Sequence, residues 1–333
     1  MLYECIYLKL NNMKNLIYLA AFALLMTSCH DDEAPAIHED TASNLISPAL
    51  YMNVSTREGD KPFTGVLSIA PCTTGTSVFY GNYVNQKLTP FYGYYFVKDG
   101  EVYPNENNRV LNLPAGTYDM IYWGTPQYTE PIYAYPNVRE PSYSIGGDFA
   151  TQDFTLLKNP NDTTYYPTFD LVYARRSVNV GTEDLDAALH RVVSGLKISV
   201  KGKDGQALSN SITNIEIRVT NIAEKLNFYT AQPEGNSRTI AFPLVRSTDG
   251  KEMTNGIVMT FPSFGIPELQ VLATLQNGQI KTFKQKLNAP LEANNKLTLS
   301  LSIGDILEEE DEGSFTIDDW NENNEEINVP VLE

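Results

Sequence analysis

The sequence predicts an all-β protein, built as two tandem antiparallel β-sandwiches behind a lipoprotein signal peptide. Three observations predict it. Many short segments alternate apolar and polar residues, turn residues separate these segments at short intervals, and the longest apolar run lies at the N-terminus. With 42% hydrophobic and 20% charged residues, the 333-residue chain can bury a core, and its length suits two domains better than one.

Residues 1–28 are predicted to be the signal peptide. Leu16 to Met26 form an apolar run of about eleven residues, whereas a membrane-spanning helix needs about 20. Met13 followed by Lys14 makes a short positive segment before this run. We therefore expect translation to start at Met13 rather than at Met1.

The end of this segment predicts a lipid attachment site. Residues 25–29, "LMTSC", resemble a lipobox, in which a peptidase cuts before a cysteine that carries diacylglycerol, although Met26 stands where leucine is usual. The two or three acyl chains of a bacterial lipoprotein would hold Cys29 persistently in a bilayer, since each buried methylene contributes about 0.8 kcal/mol. The alternative is an ordinary signal peptide with a chance cysteine.

Acidic residues follow Cys29 at once, at Asp31, Asp32 and Glu33. They resemble the surface-export signal of lipoproteins from the Bacteroidota; the alternative is a solvated linker. Residues 29–46 as a whole are polar and without periodicity, which predicts a tether.

The overall charge excludes nucleic acid as a partner. Twenty-four basic and 41 acidic residues give a net charge of −17, and no basic cluster interrupts the sequence. If Cys5 is removed and Cys29 is modified, Cys72 has no cysteine to pair with. Packing rather than disulfides is expected to hold the fold.

Residues 47–175 are predicted to form the first sandwich. A hairpin is expected to turn at Asp99 and Gly100, and a second strand pair is expected about Pro114, Ala115 and Gly116. Fifteen of the twenty tyrosines lie between Tyr80 and Tyr173. The end of this aromatic-rich composition places the domain boundary near Arg175 and Arg176.

Residues 176–333 are predicted to form the second sandwich, with further strands at the C-terminus. Ile215, Ile217 and Val219 alternate with polar residues, and a hairpin is expected to turn at Asn277 and Gly278. The strict alternation predicts sheets with one solvent-exposed face. Residues 183–200 are ambiguous, and we expect a short helical turn followed by a strand.

Five segments, in this order, carry a family resemblance: "YYFVKDGEVYP", "LNLPAGTYDMIYWG", "DLVYARRSVNV", "ALHRVVSGLKISV" and "NNKLTLSLSIGD". From about Met13 to the C-terminus the chain resembles the fimbrial anchor and accessory subunits of Bacteroidales, in the fimbrillin-like superfamily. The resemblance implies two transthyretin-like sandwiches and a lipoprotein that seats, limits or decorates a surface fibre. Its partners would be fimbrial subunits, bound by strand complementation.

The resemblance also suggests where strands could be exchanged. In stalk subunits an arginine-specific protease removes an N-terminal strand, and Arg57 is where such a cut would fall here. The C-terminal segments "GSFTIDDW" and "EINVPVLE" could be donated to a neighbour or close their own domain, and closure is favoured. The acidic residues 308–312 between them and the main body predict an exposed linker.

Catalytic and metal chemistry is not indicated. The histidines His30, His38 and His190 are too scattered for a zinc site, and no nucleophile elbow, phosphate loop or calcium loop occurs. We therefore predict no enzyme activity, no cofactor and no catalytic or metal-binding residues.

Two functions follow from these patterns. The first is an anchor or accessory subunit of fimbriae, acting in adhesion or fibre assembly at the cell outer membrane and contacting host or bacterial surface ligands. The alternative is a glycan-binding lipoprotein of a polysaccharide-uptake system, because exposed aromatic rings can stack on sugars. Packing in the sheets is the favoured role of these rings, which are Tyr92, Tyr94, Tyr95, Trp123, Tyr128, Tyr133 and Tyr135.

Overall fold

Strands make up almost all regular structure in the computed structural model of this chain. The structure describes residues 44–56, 59–84, 87–90, 95–102, 111–126, 138–202, 205–303 and 315–317. One 3-10 turn lies at Phe149–Thr151. The strands of these ranges are β1 (Leu45–Ile46), β2 (Leu50–Thr56), β3 (Gly59–Pro62), β4 (Gly65–Thr73), β5 (Asn82–Val84), β6 (Lys87–Thr89), β7 (Tyr95–Lys98), β8 (Glu101–Val102), β9 (Leu113–Pro114), β10 (Gly116–Pro126), β11 (Val138–Arg139), β12 (Asp153–Leu156), β13 (Val172–Val180), β14 (Leu185–Arg191), β15 (Ser194–Gly202), β16 (Ile212–Asn227), β17 (Pro233–Pro243), β18 (Val245–Arg246), β19 (Glu252–Thr254), β20 (Val258–Thr260), β21 (Glu268–Leu275), β22 (Ile280–Lys286), β23 (Lys296–Ile303) and β24 (Phe315–Ile317).

The first half of the fold is an eight-stranded sheet with the order β3-β2-β14-β13-β10-β4-β7-β8. The predicted hairpin between β7 and β8 is confirmed, with Asp99 and Gly100 both at positive φ, as a tight two-residue turn requires. The backbone of Gly100 also bonds to Met52 and Phe63, so the two ends of the sheet meet there. The sheet therefore curls around one of its own faces.

Two sheets form the second half of the fold. One has the order β11-β12-β16-β21-β22, with β17 also paired to β16, and the other has the order β18-β19-β15-β23-β24, with β20 also paired to β15. The predicted hairpin at Asn277 and Gly278 joins β21 to β22. Ile215, Ile217 and Val219 are fully buried, as predicted. The all-β, sandwich-type prediction is thus confirmed.

The sheets are mixed rather than purely antiparallel. β14 pairs with β2 in parallel, as β15 does with β23. Parallel neighbours need a long connection between them, and here more than a hundred residues separate β2 from β14. Turn signals report only short-range hairpins, so they could not reveal these two pairs.

Three local predictions are wrong. β9 pairs with β1, whereas β10 pairs with β4 and β13, so the turn about Ala115 does not join a hairpin. The helical turn expected at the start of residues 183–200 is instead the strand β14, whose inward residues alternate strictly. β4 and the middle of β10 have no solvent-exposed face, because buried residues continue along them without alternation.

The pairing of the strands shows which elements contain the residues at the predicted boundaries. Leu45 and Ile46, at the end of the predicted tether, form β1 and pair with Pro114 and Leu113. Arg175 and Arg176 lie within β13, and the chain changes sheet after Arg191 at the end of β14. The division into domains at residues 175 and 176 stays a prediction.

The buried residues form two clusters on opposite faces of the eight-stranded sheet. One face contributes Leu67, Met120 and Val172 to a cluster enclosed by the curled sheet itself. The other face contributes Ala70 and Trp123 to a larger cluster that continues into both sheets of the second half. Neighbouring residues of the same strands thus belong to different cores, because side chains alternate across a strand.

A buried ion pair lies where the chain crosses between the two halves. Nε of Arg191 lies 3.2 and 3.1 Å from the two carboxylate oxygens of Asp170, and both side chains are at least nine-tenths buried. Burial raises the pKa of the Asp170 carboxyl, and the Arg191 guanidinium opposes this rise. Removing either partner leaves the other charge buried alone.

We expect Asp170→Ala to lower the free energy of unfolding by about 3–5 kcal/mol, because the Arg191 charge then lacks its partner. The double variant Asp170→Leu with Arg191→Met is expected to recover most of this loss, since no charge is left buried. Urea unfolding of the two variants measures both values. A loss below about 1 kcal/mol for Asp170→Ala would contradict this account of the pair.

Candidate functional site

Two of the residues that sequence analysis selected lie outside the described residues. These are Cys29, the predicted lipid attachment site, and Arg57, the predicted cleavage site. Arg57 falls between the end of β2 and the start of β3, which pair with each other. β2 also pairs along its other side with β14.

Among the rings named for the glycan alternative, the two that the structure describes are packing residues. Trp123 is 3% exposed and Tyr95 is also buried, so the favoured role is confirmed for these two rings. The other rings named for the glycan alternative, Tyr92, Tyr94, Tyr128, Tyr133 and Tyr135, lie outside the described residues. His190 is exposed and lies edge-on to the ring of Tyr173.

Trp123 is the centre of an aromatic cluster between the two halves of the fold. Its ring centroid lies 4.7 Å from that of Phe154, 4.8 Å from that of Tyr173 and 5.7 Å from that of Phe228. The indole Nε1–H donates a 2.9 Å hydrogen bond to the carbonyl of Phe228. Because the polar atom of Trp123 is satisfied, its full burial carries no desolvation penalty.

Tyr229 extends this contact to the surface. Its hydroxyl donates to the carbonyl of Thr76 at 3.2 Å, and its own carbonyl accepts a hydrogen bond from the Tyr173 hydroxyl. The guanidinium of Arg175 lies 4.4 Å from the centre of the Tyr229 ring. The strand end at Phe228 and Tyr229 is therefore fixed to the eight-stranded sheet by ring packing, hydrogen bonds and a cation–π contact.

Neither the Phe228–Tyr229 contact nor the ion pair of Asp170 and Arg191 was predicted from the sequence. Phe228 and Tyr229 are adjacent aromatic residues among polar neighbours, and Asp170 and Arg191 fall inside two of the segments that carry the family resemblance. The sequence pattern does not show which residues of two different sheets will be in contact.

β22 is a sheet edge with a distinctive charge. It lies at the end of its sheet and pairs only with β21 within the described ranges. Its seven residues include Lys281, Lys284 and Lys286 and no acidic residue, in a chain of net charge −17. Lysines on an edge discourage indiscriminate strand addition, and they favour an acidic partner over a basic one.

The C-terminal strand β24 pairs with β23 of the same chain, from Leu301 opposite Ile317 to Ile303 opposite Phe315. This part of "GSFTIDDW" closes its own sheet, which was the favoured prediction. The segment "EINVPVLE" and the acidic residues 308–312 lie outside the described residues.

A cavity of about 320 Å³ opens in the first half of the fold, between the start of β2 and β8. In the part of the chain that the structure describes, no three His, Cys, Asp or Glu side chains are grouped to hold a metal ion. The same residues include no membrane-spanning helix. Cys72 is fully buried, and burial with the nearby Asp119 charge raises its pKa to about 12, so the thiol is unreactive.

These features define an all-β sandwich protein. Its exposed sheet edges and surfaces are available for contacts with other molecules. The model of the family described as fimbrillin-A associated anchor proteins Mfa1 and Mfa2 matches residues 53–326. The chain therefore belongs to this family, and the resemblance found in its sequence is confirmed. No curated protein matches the chain.

Several solved structures are similar in fold. The fimbrial anchor protein Mfa2 from Porphyromonas gingivalis is 14% identical with a TM-score of 0.49, over 80% of this chain and 93% of that chain. A candidate cell adhesion protein from Bacteroides uniformis is 16% identical with a TM-score of 0.43, over 82% and 98%. A candidate polysaccharide-binding protein from Bacteroides thetaiotaomicron is 12% identical with a TM-score of 0.45, over 76% and 91%.

Proposed function

We propose that this protein is a lipid-anchored anchor or accessory subunit of fimbriae on the cell outer membrane, acting in fibre assembly or adhesion and not as an enzyme. The family match over residues 53–326 is the observation that carries the proposal. The all-β fold and the aromatic cluster that joins its halves support it, because a subunit held between a membrane and a fibre must transmit force without separating.

The proposed anchor is the lipid on Cys29. Between Cys29 and Leu45, where pairing begins, lie fifteen residues that can span at most roughly 50 Å when extended. The acyl chains would hold the protein at the bilayer, while this tether leaves the folded part free to meet a fibre.

The proposed partner is a fimbrial subunit that adds an extended strand to this chain. Among the edges in the described ranges, β22 offers seven residues and β8 offers two, whereas the eleven-residue β17 is partly covered by the bridge from Tyr165. An added strand would pair its backbone with β22 and place its side chains beside Lys284 and Lys286. These two lysines would then select a strand that carries carboxylates.

We expect Cys29→Ala to remove the protein from the outer-membrane fraction, because without the lipid-bearing cysteine the peptidase does not cut and the unprocessed chain keeps its apolar signal segment. Cys72→Ala is the matched control, since this thiol is buried and the variant keeps Cys29. Blotting of fractionated cells measures both. Cys29→Ala protein in the outer-membrane fraction, in the same amount as the Cys72→Ala control, would exclude Cys29 as the anchor.

We expect the double variant Lys284→Glu with Lys286→Glu to lose its association with sheared fimbriae while staying in the membrane, because it reverses the charge of the proposed edge. The matched control is Lys197→Glu with Lys201→Glu, two exposed lysines of β15, which has paired neighbours on both sides. The readout is a blot of sheared fibres. Equal amounts of both variants on the fibres would show that β22 does not bind them.

A further inference from the structure

Among the residues that the structure describes, the curled sheet of the first half does not close along its whole length. Its two ends meet at Gly100, whose N–H donates to the carbonyl of Phe63 at 2.8 Å and whose carbonyl accepts from the Met52 N–H at 2.9 Å. Beyond this point, β8 pairs only with β7, and its residues form no ladder with the start of β2. The sheet therefore has a seam between Leu50 and Val102.

The cavity of about 320 Å³ lies at this seam. Its inner wall is mainly apolar, with Leu50, Ile69, Leu111 and Leu185 and the buried ring of Tyr95 among the residues that line it. All four aliphatic residues are buried and belong to the cluster enclosed by the sheet. Leu50 is also the first residue of β2. A ligand in the cavity would thus contact the apolar core directly.

The mouth of the cavity is amphipathic. Tyr51 is 48% exposed and Val102 is 37% exposed, although both are large apolar residues that line the cavity. Glu101 is exposed and is the one charged residue among the described residues of the lining. A mainly apolar pocket with a single carboxylate is complementary to an apolar body that carries one positive charge.

The volume of the cavity and the charge of its lining further restrict which ligands can bind there. At protein packing density a cavity of this volume holds roughly a dozen non-hydrogen atoms. Against mainly apolar walls a sugar would leave some of its hydroxyls without partners, and an anion would be repelled by Glu101 and by the net charge of −17.

We propose that the seam between β2 and β8 is a binding site for a small amphipathic cation, with its apolar body among the leucines and its positive group beside Glu101. The site is independent of the lipid anchor and of the β22 edge. Binding experiments can therefore support or contradict this site whatever the outcome of the fimbrial experiments.

The test is calorimetric titration of the chain from residue 30 to residue 333, which contains the compact unit of residues 44–333. The probes are n-octylamine, 1-octanol and n-octanoate, which share an eight-carbon chain and differ in charge. We expect octylamine to bind about tenfold more tightly than octanoate, with octanol between them. Equal affinity for octylamine and octanoate, or no binding of octylamine, would overturn the proposal.

Two variants locate the site. Glu101→Gln is expected to reduce octylamine affinity about five- to tenfold and to leave octanol affinity unchanged, with the exposed Glu234→Gln as control. Val102→Trp fills the mouth and is expected to abolish binding of both probes, with Val245→Trp, at a valine that is 70% exposed on β18, as control. Unchanged octylamine binding in Glu101→Gln would place the probe elsewhere and refute the site.

Discussion

The structure depends on burying both faces of the strands at the centre of the eight-stranded sheet. On β10, Met120 and Tyr122 face the cluster that the sheet encloses, while Ile121 and Trp123 face the cluster shared with the second half. If one face of the eight-stranded sheet were exposed to solvent, only the connecting segments of the chain would join the two halves. Here the outer face of the first half is part of the core of the second, and Trp123 bonds across the contact.

This shared core explains how such a chain could work as part of a fibre. Inter-domain contacts that are small and polar allow the domains to move, whereas a large apolar contact holds them in one arrangement. The aromatic cluster lies where the first half of the fold contacts the second, and the ion pair of Asp170 and Arg191 lies where the chain crosses between them. Force applied at one end would thus meet packed side chains rather than a flexible linker.

Short sequence patterns predicted the features that depend on residues close together in the chain. Alternation predicted the strands around Ile217 and Leu299, and turn chemistry predicted the hairpins at Asp99–Gly100 and Asn277–Gly278. The partners of strands far apart could not be predicted, because β2 and β14 meet only through the closing of the whole sheet. On β10 the apolar run from Met120 to Trp123 is consistent with burial on both faces, whereas Ser68 interrupts the apolar residues of β4. Of the proposed sites, lipid attachment at Cys29 rests on the sequence alone, whereas the β22 edge and the seam cavity depend on which strands end a sheet.

The account joins a rigid pair of sandwiches to a bilayer through a modified residue at the head of a tether. Mass spectrometry of the protein isolated from its native membrane tests this most directly. The account predicts that the N-terminal peptide begins at Cys29 and carries the added mass of a diacylglycerol group, with or without a third acyl chain. A mature terminus at another residue, or a Cys29 with a free thiol, would contradict it.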